Sequence, residues 1–379
     1  MFRLRLLVSL AAVFFLSCLF AATGSAAQPQ VASNNFQTCV IVDTGSVLCS
    51  GDNAYKSLGD GSVGVRAAFA PGPALTGVVS LAAGDRHMCA LLAIGSVECW
   101  GANESFQLGR GGSSTEDSGS PAPVRLPDGS PLAAVTQIAS QLDTTCASTA
   151  SGSAYCWGEG NDGQIGNGSS DSASAATKVL GIAGVTKVVP GYTHTCAIAD
   201  SDKVYCWGSD YEGALGNGAN GASAVPDAVE GMPAAADLGS GDSFSCATVK
   251  APSAGLFCWG SDSHGQQGNG PDFSTNLVAR NIGSHVHPSK IAVGRSTVCL
   301  WSYYEYAAAT TVSCWGDNRR HQVSEDNVDV VELPRVVNGV SGNSAPTSGN
   351  PGTVDIAAQW GDTACVLIWD GAVKCWGGN

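Results

Sequence analysis

Seven cysteine pairs recur along this chain of 379 residues at nearly regular intervals. The first cysteines of successive pairs are 50, 57, 50, 50, 53 and 66 residues apart. Self-similarity at such a period is typical of repeat architectures, in which each repeat is one supersecondary unit. The pairs are Cys39 and Cys49, Cys89 and Cys99, Cys146 and Cys156, Cys196 and Cys206, Cys246 and Cys258, Cys299 and Cys314, and Cys365 and Cys375.

Each repeat carries further shared features around its cysteines. In six copies the second cysteine opens a Cys-Trp-Gly triplet, and a Gly-rich loop follows, such as GEGNDGQIGNG at 158–168. An alternation of apolar residues precedes the first cysteine, as in VVSLAAGDRHMC before Cys89. Copy one has Cys49-Ser50-Gly51 in place of the triplet, and the loop of copy six is degenerate.

These strings together resemble the regulator of chromosome condensation repeat family, from about Val31 to Asn379. The resemblance implies a seven-bladed β-propeller. It implies much less about function, because one fold can support unrelated activities. The family's best-known activity is guanine-nucleotide exchange on a nuclear small GTPase.

The residues independently predict an all-β fold of seven blades. Val78–Ala83 alternates as a strand does, Cys89–Leu92 and Val97–Trp100 form a hairpin, and Pro71–Leu75 is a fourth strand at an edge that tolerates proline. Four strands in about 50 residues is the size of a propeller blade. Copy seven stops after its third strand, so either residues 28–33 pair with the last blade or one blade has three strands.

The cysteine spacing predicts one disulfide within each blade. Glycine lies six residues after the first cysteine at Gly45, Gly95, Gly152 and Gly371, and Asp202 takes this place in another copy. Glycine or aspartate suits the left-handed position of a three-residue hairpin loop. That loop places the two cysteines opposite each other, at about 4.5 Å between Cα atoms. Reduced cysteines in the core are the alternative; metal binding is disfavoured because no Cys-x-x-Cys occurs.

The N-terminal segment predicts secretion. Arg3 and Arg5 precede the apolar run 6–20, and small residues follow to Ala27, so we interpret 1–27 as a signal peptide. An uncleaved anchor or a lipoprotein through Cys18 are the alternatives. An even number of cysteines behind such a segment favours disulfides and an extracellular location, with the cell surface or the periplasm as variants.

Residues 28–379 are expected to form a single propeller domain, with a flexible insertion near 339–353 that is rich in Ser, Gly, Asn and Pro. Removing residues 1–27 changes the net charge from −14 to −16. A chain this acidic is not expected to bind nucleic acid. No membrane span is expected after signal removal, and the protein is expected to be a monomer.

The sequence contains no catalytic, cofactor or metal motif, and we expect a non-enzyme without a cofactor. His87 and His194 occupy one repeat position, which favours a structural hydrogen bond over catalysis. His285 and His287 are weak candidates for a metal site. Acids of the Gly-rich loops match no calcium loop; they are Glu159, Asp162, Asp210 and Glu212.

Departures from the repeat indicate where binding occurs, because function is commonly carried by loops. The blade-six hairpin carries Trp301, Tyr303, Tyr304 and Tyr306, residue types that dominate interface hot spots. The blade-five tip, Val249–Gly255, is also lengthened and is expected beside it. Packing on the neighbouring blade is the alternative for these aromatic side chains.

Two other repeat features have structural and functional interpretations. The tryptophans of the triplets are expected to pack between blades, with a sugar-binding ring as the alternative, and the glycines of the following loop are expected to allow close approach of the blades. Asn103 and Asn167 head glycosylation sequons, which matter only in a eukaryotic secretory pathway.

The sequence therefore predicts a secreted binding module for an extracellular protein or glycan, using loops on one propeller face. The alternative is a proteinaceous inhibitor of an extracellular enzyme, similar in architecture to the propeller-type β-lactamase inhibitor proteins. Nucleotide exchange is disfavoured by the signal peptide, the disulfides and the acidic charge.

Overall fold

The structure is a computed structural model, and the predicted signal peptide, His285, His287, Tyr306, Gly371 and the predicted insertion lie outside its described residues. The described residues are 30–34, 36–42, 45–250, 255–283, 288–304, 309–324, 328–337, 355–358, 363–367 and 373–377.

The described chain forms twenty-seven strands in seven antiparallel sheets, confirming the all-β class and the seven blades. The strands are β1 (Gln30–Ser33), β2 (Gln37–Ile41), β3 (Val47–Gly51), β4 (Arg66–Pro71), β5 (Val78–Ala83), β6 (His87–Leu92), β7 (Val97–Gly101), β8 (Ser118–Pro123), β9 (Val135–Gln141), β10 (Thr144–Thr149), β11 (Ala154–Gly158), β12 (Ala173–Lys178), β13 (Lys187–Pro190), β14 (His194–Ala199), β15 (Lys203–Gly208), β16 (Ser223–Ala228), β17 (Ala235–Ser240), β18 (Phe244–Val249), β19 (Leu256–Gly260), β20 (Asn276–Asn281), β21 (Pro288–Val293), β22 (Thr297–Tyr304), β23 (Ala309–Asp317), β24 (Val330–Val336), β25 (Asp355–Ala358), β26 (Thr363–Leu367) and β27 (Val373–Gly377).

Each blade is a meander whose strands pair in chain order, so the first strand lines the centre of the ring and the fourth strand is outermost. The expected first strand Val78–Ala83 is observed as β5. The fourth strand of blade one is Arg66–Pro71, so the predicted range Pro71–Leu75 began too late in the sequence. The backbone leaves the ladder after Pro71: Gly72 N–H donates to Val47 O at 3.0 Å, and Pro73 has no N–H to continue the pairing.

The hairpin geometry confirms the disulfide prediction. In blade two, Leu92 N–H donates to Ser96 O at 2.9 Å, and Gly95, with φ of 79°, lies in the left-handed region. Asp202 adopts the same conformation with φ of 72°. The two cysteines of every blade are directly opposite in register and bonded, with Cα atoms 4.1 to 4.2 Å apart.

The strands that the structure describes close the ring without sharing a strand between the first and last blades. The innermost strands contact one another in sequence around the ring, and β1 adjoins β25. Pairing of residues 28–33 with the last blade, one of the two expectations, is wrong for the described part of this segment, because Gln30–Ser33 pairs with β2 of blade one. The described residues of blade seven form three strands.

The tryptophans of the triplets join neighbouring blades, as expected. The indole Nε1 of Trp157 donates to Gln107 O, in the Gly-rich loop of the preceding blade, at 3.0 Å. Trp100, Trp207, Trp259 and Trp315 repeat this bond, and these five rings are fully buried. A glycine allows the contact: a Cβ on Gly109 would lie 2.7 Å from Trp157 Cδ1. The fully buried rings are core residues, which rules out a sugar-binding ring at these five positions.

Candidate binding surfaces

The propeller has two ends with different connections. On the loop face lie the turns between the first and second strands and the Gly-rich loops between the third and fourth strands. Backbone bonds link them, as from Asp85 N to Leu142 O and from Glu159 N to Asp143 O, at 2.9 and 3.0 Å. On the hairpin face lie the disulfide hairpins and the linkers to the next blade, linked as from Val135 N to Gly95 O at 2.9 Å.

The loop face is acidic. In its described connections, Asp and Glu outnumber Lys and Arg by more than two to one. Its main cationic cluster is centred on Arg86, whose guanidinium lies 4.9 Å from the Tyr55 ring centroid and 3.3 and 3.4 Å from Glu104 and Asp143 carboxylate oxygens. Burial opposes the charge of Arg86, but the hydrogen bond that it donates to the Tyr55 oxygen and these carboxylates together raise its pKa. Arg86 is therefore a neutralised structural group rather than a free anion site.

Three carboxyl groups of the loop face have raised pKa values, those of Asp242, Glu159 and Asp262. Burial raises the pKa of Asp242 against the opposing charge of Arg295. Burial is the main cause for Glu159, and the Asp143 carboxylate adds to it. Burial also raises the pKa of Asp262 to about 7, with a contribution from Asp272, against hydrogen bonds from Gln267 N and Asn269. Asp262 Oδ1 accepts the Gln267 N–H at 2.9 Å, so it shapes its own loop. All three groups are explained by burial within the loops.

The hairpin face is poor in charge and exposes two large apolar side chains, although the loop face also exposes such side chains, among them Val63, Val65 and Tyr211. Ile94, at the blade-two hairpin, is 83% exposed, and Leu180, in the linker after blade three, is 48% exposed. Exposed Ala and Pro surround them in the linkers, as at 131–134 and 233–234. Charged residues are few in the described connections of this face: Arg125, Asp128, Asp200, Asp202, Glu230 and Lys250.

The lengthened hairpin of blade six leaves from this hairpin face. β22 and β23 pair from Thr297 to Tyr304, further than the corresponding strands of other blades. Trp301 is half-buried and packs against a core cluster formed by residues of blades five, six and seven, and its Nε1 is buried with no acceptor among the described residues. The backbones of Tyr303 and Tyr304 lie in β22. Packing against neighbouring residues, the alternative to ligand binding, thus explains why part of the Trp301 side chain is buried.

Only the two ends of the blade-five tip, Val249–Gly255, can be compared with the blade-six tip, because residues 251–254 lie outside the described part of the chain. Val249 ends β18 and is buried, and Lys250 is exposed and pairs with Asp202 at 2.6 Å. Whether the two tips form one rim stays a prediction.

A belt of polar residues lines the central channel, a feature that the sequence reasoning missed. Every first strand carries one polar residue two positions before the residue that faces the first cysteine. These residues are Gln30, Ser80, Gln137, Lys187, Asp237, Lys290 and Asp355. The sequence contained a signal for this belt, because a polar residue interrupts the apolar alternation at this position of each repeat.

The belt joins one blade to the next. Gln137 Oε1 accepts from Val188 N at 3.0 Å, Lys187 pairs with Asp237, and Asp237 accepts from Ile291 N at 3.0 Å. At the closure of the ring, Lys290 pairs with Asp355. Asp355 Oδ2 also accepts from Val31 N at 3.2 Å.

The channel encloses a cavity of about 290 Å³, lined by the first strands of all seven blades. Hydrogen bonds and ion pairs of its charged and amide side chains link neighbouring blades, so the belt is primarily structural. No convergence of acids suited to glycan hydrolysis is found among the described lining residues, because the two channel carboxylates are held by the two lysines.

The two repeat-position histidines are structural, as expected. His87 Nε2 lies 2.7 Å from Thr145 Oγ1, and His194 Nε2 lies 2.9 Å from Ser245 Oγ, in each case in the following blade. Both rings are fully buried. Burial lowers the pKa of His87 to about 3, with a contribution from Arg86, and burial lowers that of His194 to about 4. Both imidazoles are therefore neutral at pH 7.

The two sequons differ in their surroundings. Asn103 is buried, and its amide nitrogen donates to Ser114 O at 2.8 Å while Oδ1 accepts from Leu108 N at 3.1 Å. Asn167 is half-buried, and only its oxygen makes a local bond, from Ser169 N at 3.0 Å. The side-chain nitrogen of Asn103 is therefore bonded within the folded loop, whereas Asn167 is partly exposed.

Within the described ranges, no three His, Cys, Asp or Glu side chains cluster in a way that could hold a metal ion. No helix there has the length and apolar character needed to cross a membrane.

Comparisons with known proteins agree with this architecture. Profiles of the regulator of chromosome condensation (RCC1) repeat match residues 78–107, 135–164 and 185–214, and also 151–198 and 201–248. No curated protein sequence matches the chain significantly.

Solved structures with the same fold have low sequence identity. Human WBSCR16 is 18% identical with a TM-score of 0.73, covering 93% of this chain and 87% of that one. Yeast RCC1 (Prp20), solved bound to Kap60, is 19% identical with a TM-score of 0.71, covering 94% and 80%. The CRINKLY WD40 ectodomain of the Arabidopsis thaliana receptor kinase ACR4 is 16% identical with a TM-score of 0.52, covering 93% and 96%. At these identities the likeness shows the fold alone.

Proposed function

Since the chain is a seven-bladed propeller of RCC1 repeats, we propose that it is an extracellular binding module that holds a protein ligand on its hairpin face. The observation that carries this proposal is the contrast between the two faces. The hairpin face is poor in charge, whereas the loop face is acidic and the charge of its Arg86 is neutralised.

The low charge of one face favours a protein ligand, because depletion of charge is typical of interface cores. Ile94 and Leu180 would lose water contact on binding. Glycan ligands are commonly stacked on exposed aromatic rings, and the five fully buried triplet tryptophans offer none.

The blade-six tip is the proposed anchor. It extends from the hairpin face and carries Trp301, Tyr303, Tyr304 and Tyr306. The buried Nε1 of Trp301 has no acceptor among the described residues, and a ligand carbonyl that reached it would remove a cost of about 1–3 kcal/mol.

Seven disulfides point to an oxidising, extracellular environment, which supports the proposed location. Inhibition of an extracellular enzyme is the second candidate, because the same hairpin face and aromatic tip could cover an active-site entrance. Nucleotide exchange receives no support from the geometry, since the likeness to yeast RCC1 concerns the fold alone.

The test is a pull-down from the native extracellular medium with wild type and three variants of the mature chain. Variant one carries Ile94→Asp and Leu180→Asp on the hairpin face. Variant two carries Trp301→Ala, Tyr303→Ala and Tyr304→Ala. The matched control carries Tyr211→Asp and Phe273→Asp, two loop-face residues that are 66% and 46% exposed.

We expect the first two variants to lose a partner that wild type and the control both retain, with all four proteins equally folded by circular dichroism. Loss in the control alone would overturn the assignment to the hairpin face. If the retained partner is an enzyme, its activity with and without the propeller separates simple binding from inhibition.

A further inference from the structure

Four Asn-Gly pairs lie in the Gly-rich loops that the structure describes, at residues 167–168, 217–218, 220–221 and 269–270. Glycine has no Cβ, so its main-chain nitrogen is the least hindered one that can follow an asparagine. An asparagine before glycine is therefore the linkage of a protein chain that most readily loses its side-chain nitrogen without an enzyme. The four pairs share this chemistry, and the structure distinguishes them.

The reaction takes place between the asparagine side chain and the next peptide nitrogen. The glycine nitrogen loses its proton and attacks the asparagine Cγ, a C–N bond forms, and the side-chain nitrogen leaves as ammonia. Water then opens the succinimide ring at either carbonyl, which gives aspartate or isoaspartate. The attack requires a free glycine N–H and a side chain that can turn toward it, so hydrogen bonds to either group slow the reaction.

In three of the pairs the next blade holds the glycine N–H. The acceptors are carbonyl oxygens of the fourth strands β16, β20 and β24. The three bonds are Gly168 N to Ala224 O and Gly218 N to Leu277 O, both at 2.9 Å, and Gly270 N to Glu332 O at 3.2 Å. Each of these nitrogens is released only when its loop separates from the neighbouring blade.

The asparagine side chains of the same three pairs are also restrained. All three residues are half-buried. Asn167 Oδ1 accepts from Ser169 N, and Asn217 Oδ1 accepts from Ala219 N, each at 3.0 Å. The Asn269 side chain donates to the carboxyl group of Asp262. Both groups that must meet in the reaction are therefore held in place.

The remaining pair, Asn220-Gly221, has neither restraint. Asn220 is exposed, and its side chain has no hydrogen-bond partner among the described residues. Gly221 N donates to Asp210 Oδ2 at 2.9 Å, which is a side chain of the same loop rather than a strand of the next blade. A bond within one exposed loop opens at a much lower free energy than a bond between packed elements.

We propose that Asn220 is a site of spontaneous deamidation in the folded protein. The inter-blade bonds shield the asparagines of the other three pairs from the same reaction. The site lies on the loop face and does not depend on the function proposed for the hairpin face.

Deamidation of Asn220 changes the charge and the shape of the blade-four loop. A carboxylate replaces a neutral amide in a loop that already contains Asp210 and Glu212. In the isoaspartyl product the main chain is one carbon longer between residues 220 and 221, which moves Gly221 N away from Asp210. The modified protein is therefore more acidic and loses a hydrogen bond that shapes this loop.

The experiment uses the mature, oxidised chain, produced in a host without N-glycosylation and held at mildly alkaline pH. Peptide mass mapping of successive samples gives a separate rate of conversion for each of the four asparagines. We expect Asn220 to convert at least about tenfold faster than the other three. Those three are matched controls within the same chain, because each of them also precedes glycine.

The reduced and denatured chain tests whether the structure causes the difference. Without the inter-blade bonds, we expect the four asparagines to convert at similar rates. The proposal is overturned if the four rates are equal in the folded protein, or if another pair converts first. It is also overturned if Asn220 remains much faster than the other three in the denatured chain, because local sequence would then be the cause.

The variant Asn220→Gln is the second control. Glutamine would have to form a larger ring and reacts far more slowly, so we expect the early acidic form of the folded protein to disappear from ion-exchange profiles. The rates at the three shielded asparagines should not change. An acidic form that accumulates as fast in Asn220→Gln as in wild type would contradict the assignment to this residue.

Discussion

The indole Nε1 of Trp157 donates to the carbonyl oxygen of Gln107 across the boundary between blades two and three, at 3.0 Å. The two residues are 50 positions apart, and both atoms are buried. This bond recurs from blade to blade, so the Gly-rich loop of one repeat holds the tryptophan of the next.

Replacing Trp157 by Phe tests that relationship. The change leaves the Gln107 carbonyl buried without a donor, so we expect the free energy of unfolding to fall by about 1–3 kcal/mol, measured by denaturant titration. Trp376→Phe removes the same type of bond from a half-buried ring, to which water has access. A loss for Trp376→Phe as large as that for Trp157→Phe would contradict the importance of burial.

The buried histidines predict acid sensitivity. Their folded pKa values are about 3 and about 4, below the ordinary value of 6.5. The unfolded chain therefore binds more protons between these values, and the stability that the neutral imidazoles provide above pH 6.5 is lost as the pH falls toward 4. The loss is at most about 1.4 kcal/mol per pH unit for each histidine.

The variant His87→Gln/His194→Gln checks this origin of acid sensitivity. Glutamine occupies the same repeat position in blade one as Gln37, and it does not titrate. We expect the midpoint of acid unfolding to move to lower pH, followed by fluorescence. An unchanged midpoint would mean that other groups dominate acid unfolding.

Asp262 predicts the opposite pH dependence. Its pKa is raised to about 7, chiefly by burial, so the folded state disfavours the carboxylate and stability falls as the pH rises from about 4 through 7. Asn103 and Asn318 occupy this position in other copies. We expect Asp262→Asn to raise the melting temperature at pH 8 and to have little effect below pH 4.

A matched change at Asp210 should have the opposite sign. Asp210 accepts from Leu215 N with one oxygen and from Gly221 N with the other, at 3.0 and 2.9 Å. An asparagine there would turn an NH₂ group toward one of these N–H donors, so we expect Asp210→Asn to lower the melting temperature. Stabilisation by both substitutions would refute the distinction between the two carboxylates.

Glycosylation is predicted at one sequon. When the chain is secreted from a eukaryotic host, we expect a glycan on Asn167 and none on Asn103, because the Asn103 nitrogen is buried and bonded to Ser114 O. Ser169→Ala should remove the glycan mass in intact-protein mass spectrometry, and Ser105→Ala should leave it unchanged. A glycan that disappears only with Ser105→Ala would show that modification precedes formation of this loop.

Local sequence was sufficient for the structure within a blade. Cys89, Gly95 and Cys99 predicted a three-residue hairpin loop and a disulfide between opposed residues, and both are observed. The fourth strand was predicted too late along the chain. Proline can end an edge strand as readily as it can lie within one, and here β4 ends at Pro71.

The candidate surfaces were less accessible to sequence reasoning. Trp301 stood out as a departure from the repeat, but its half-buried packing depends on the neighbouring blade. The sequence also did not reveal the contrast in charge between the loop face and the hairpin face. It appears only when the connections of successive repeats are grouped by the face on which they lie.

The sequence by itself determined the repeat, the strand pattern and the cysteine pairing, because these depend on residues within one hairpin, whose spacing limits their geometry. Only the tertiary structure decided how the blades meet, as where Lys187 pairs with Asp237 of the next blade and where Asp355 accepts from Val31 N across the closure of the ring. Those relationships join strands distant in sequence, and no local spacing restricts which of the possible partners meet in space.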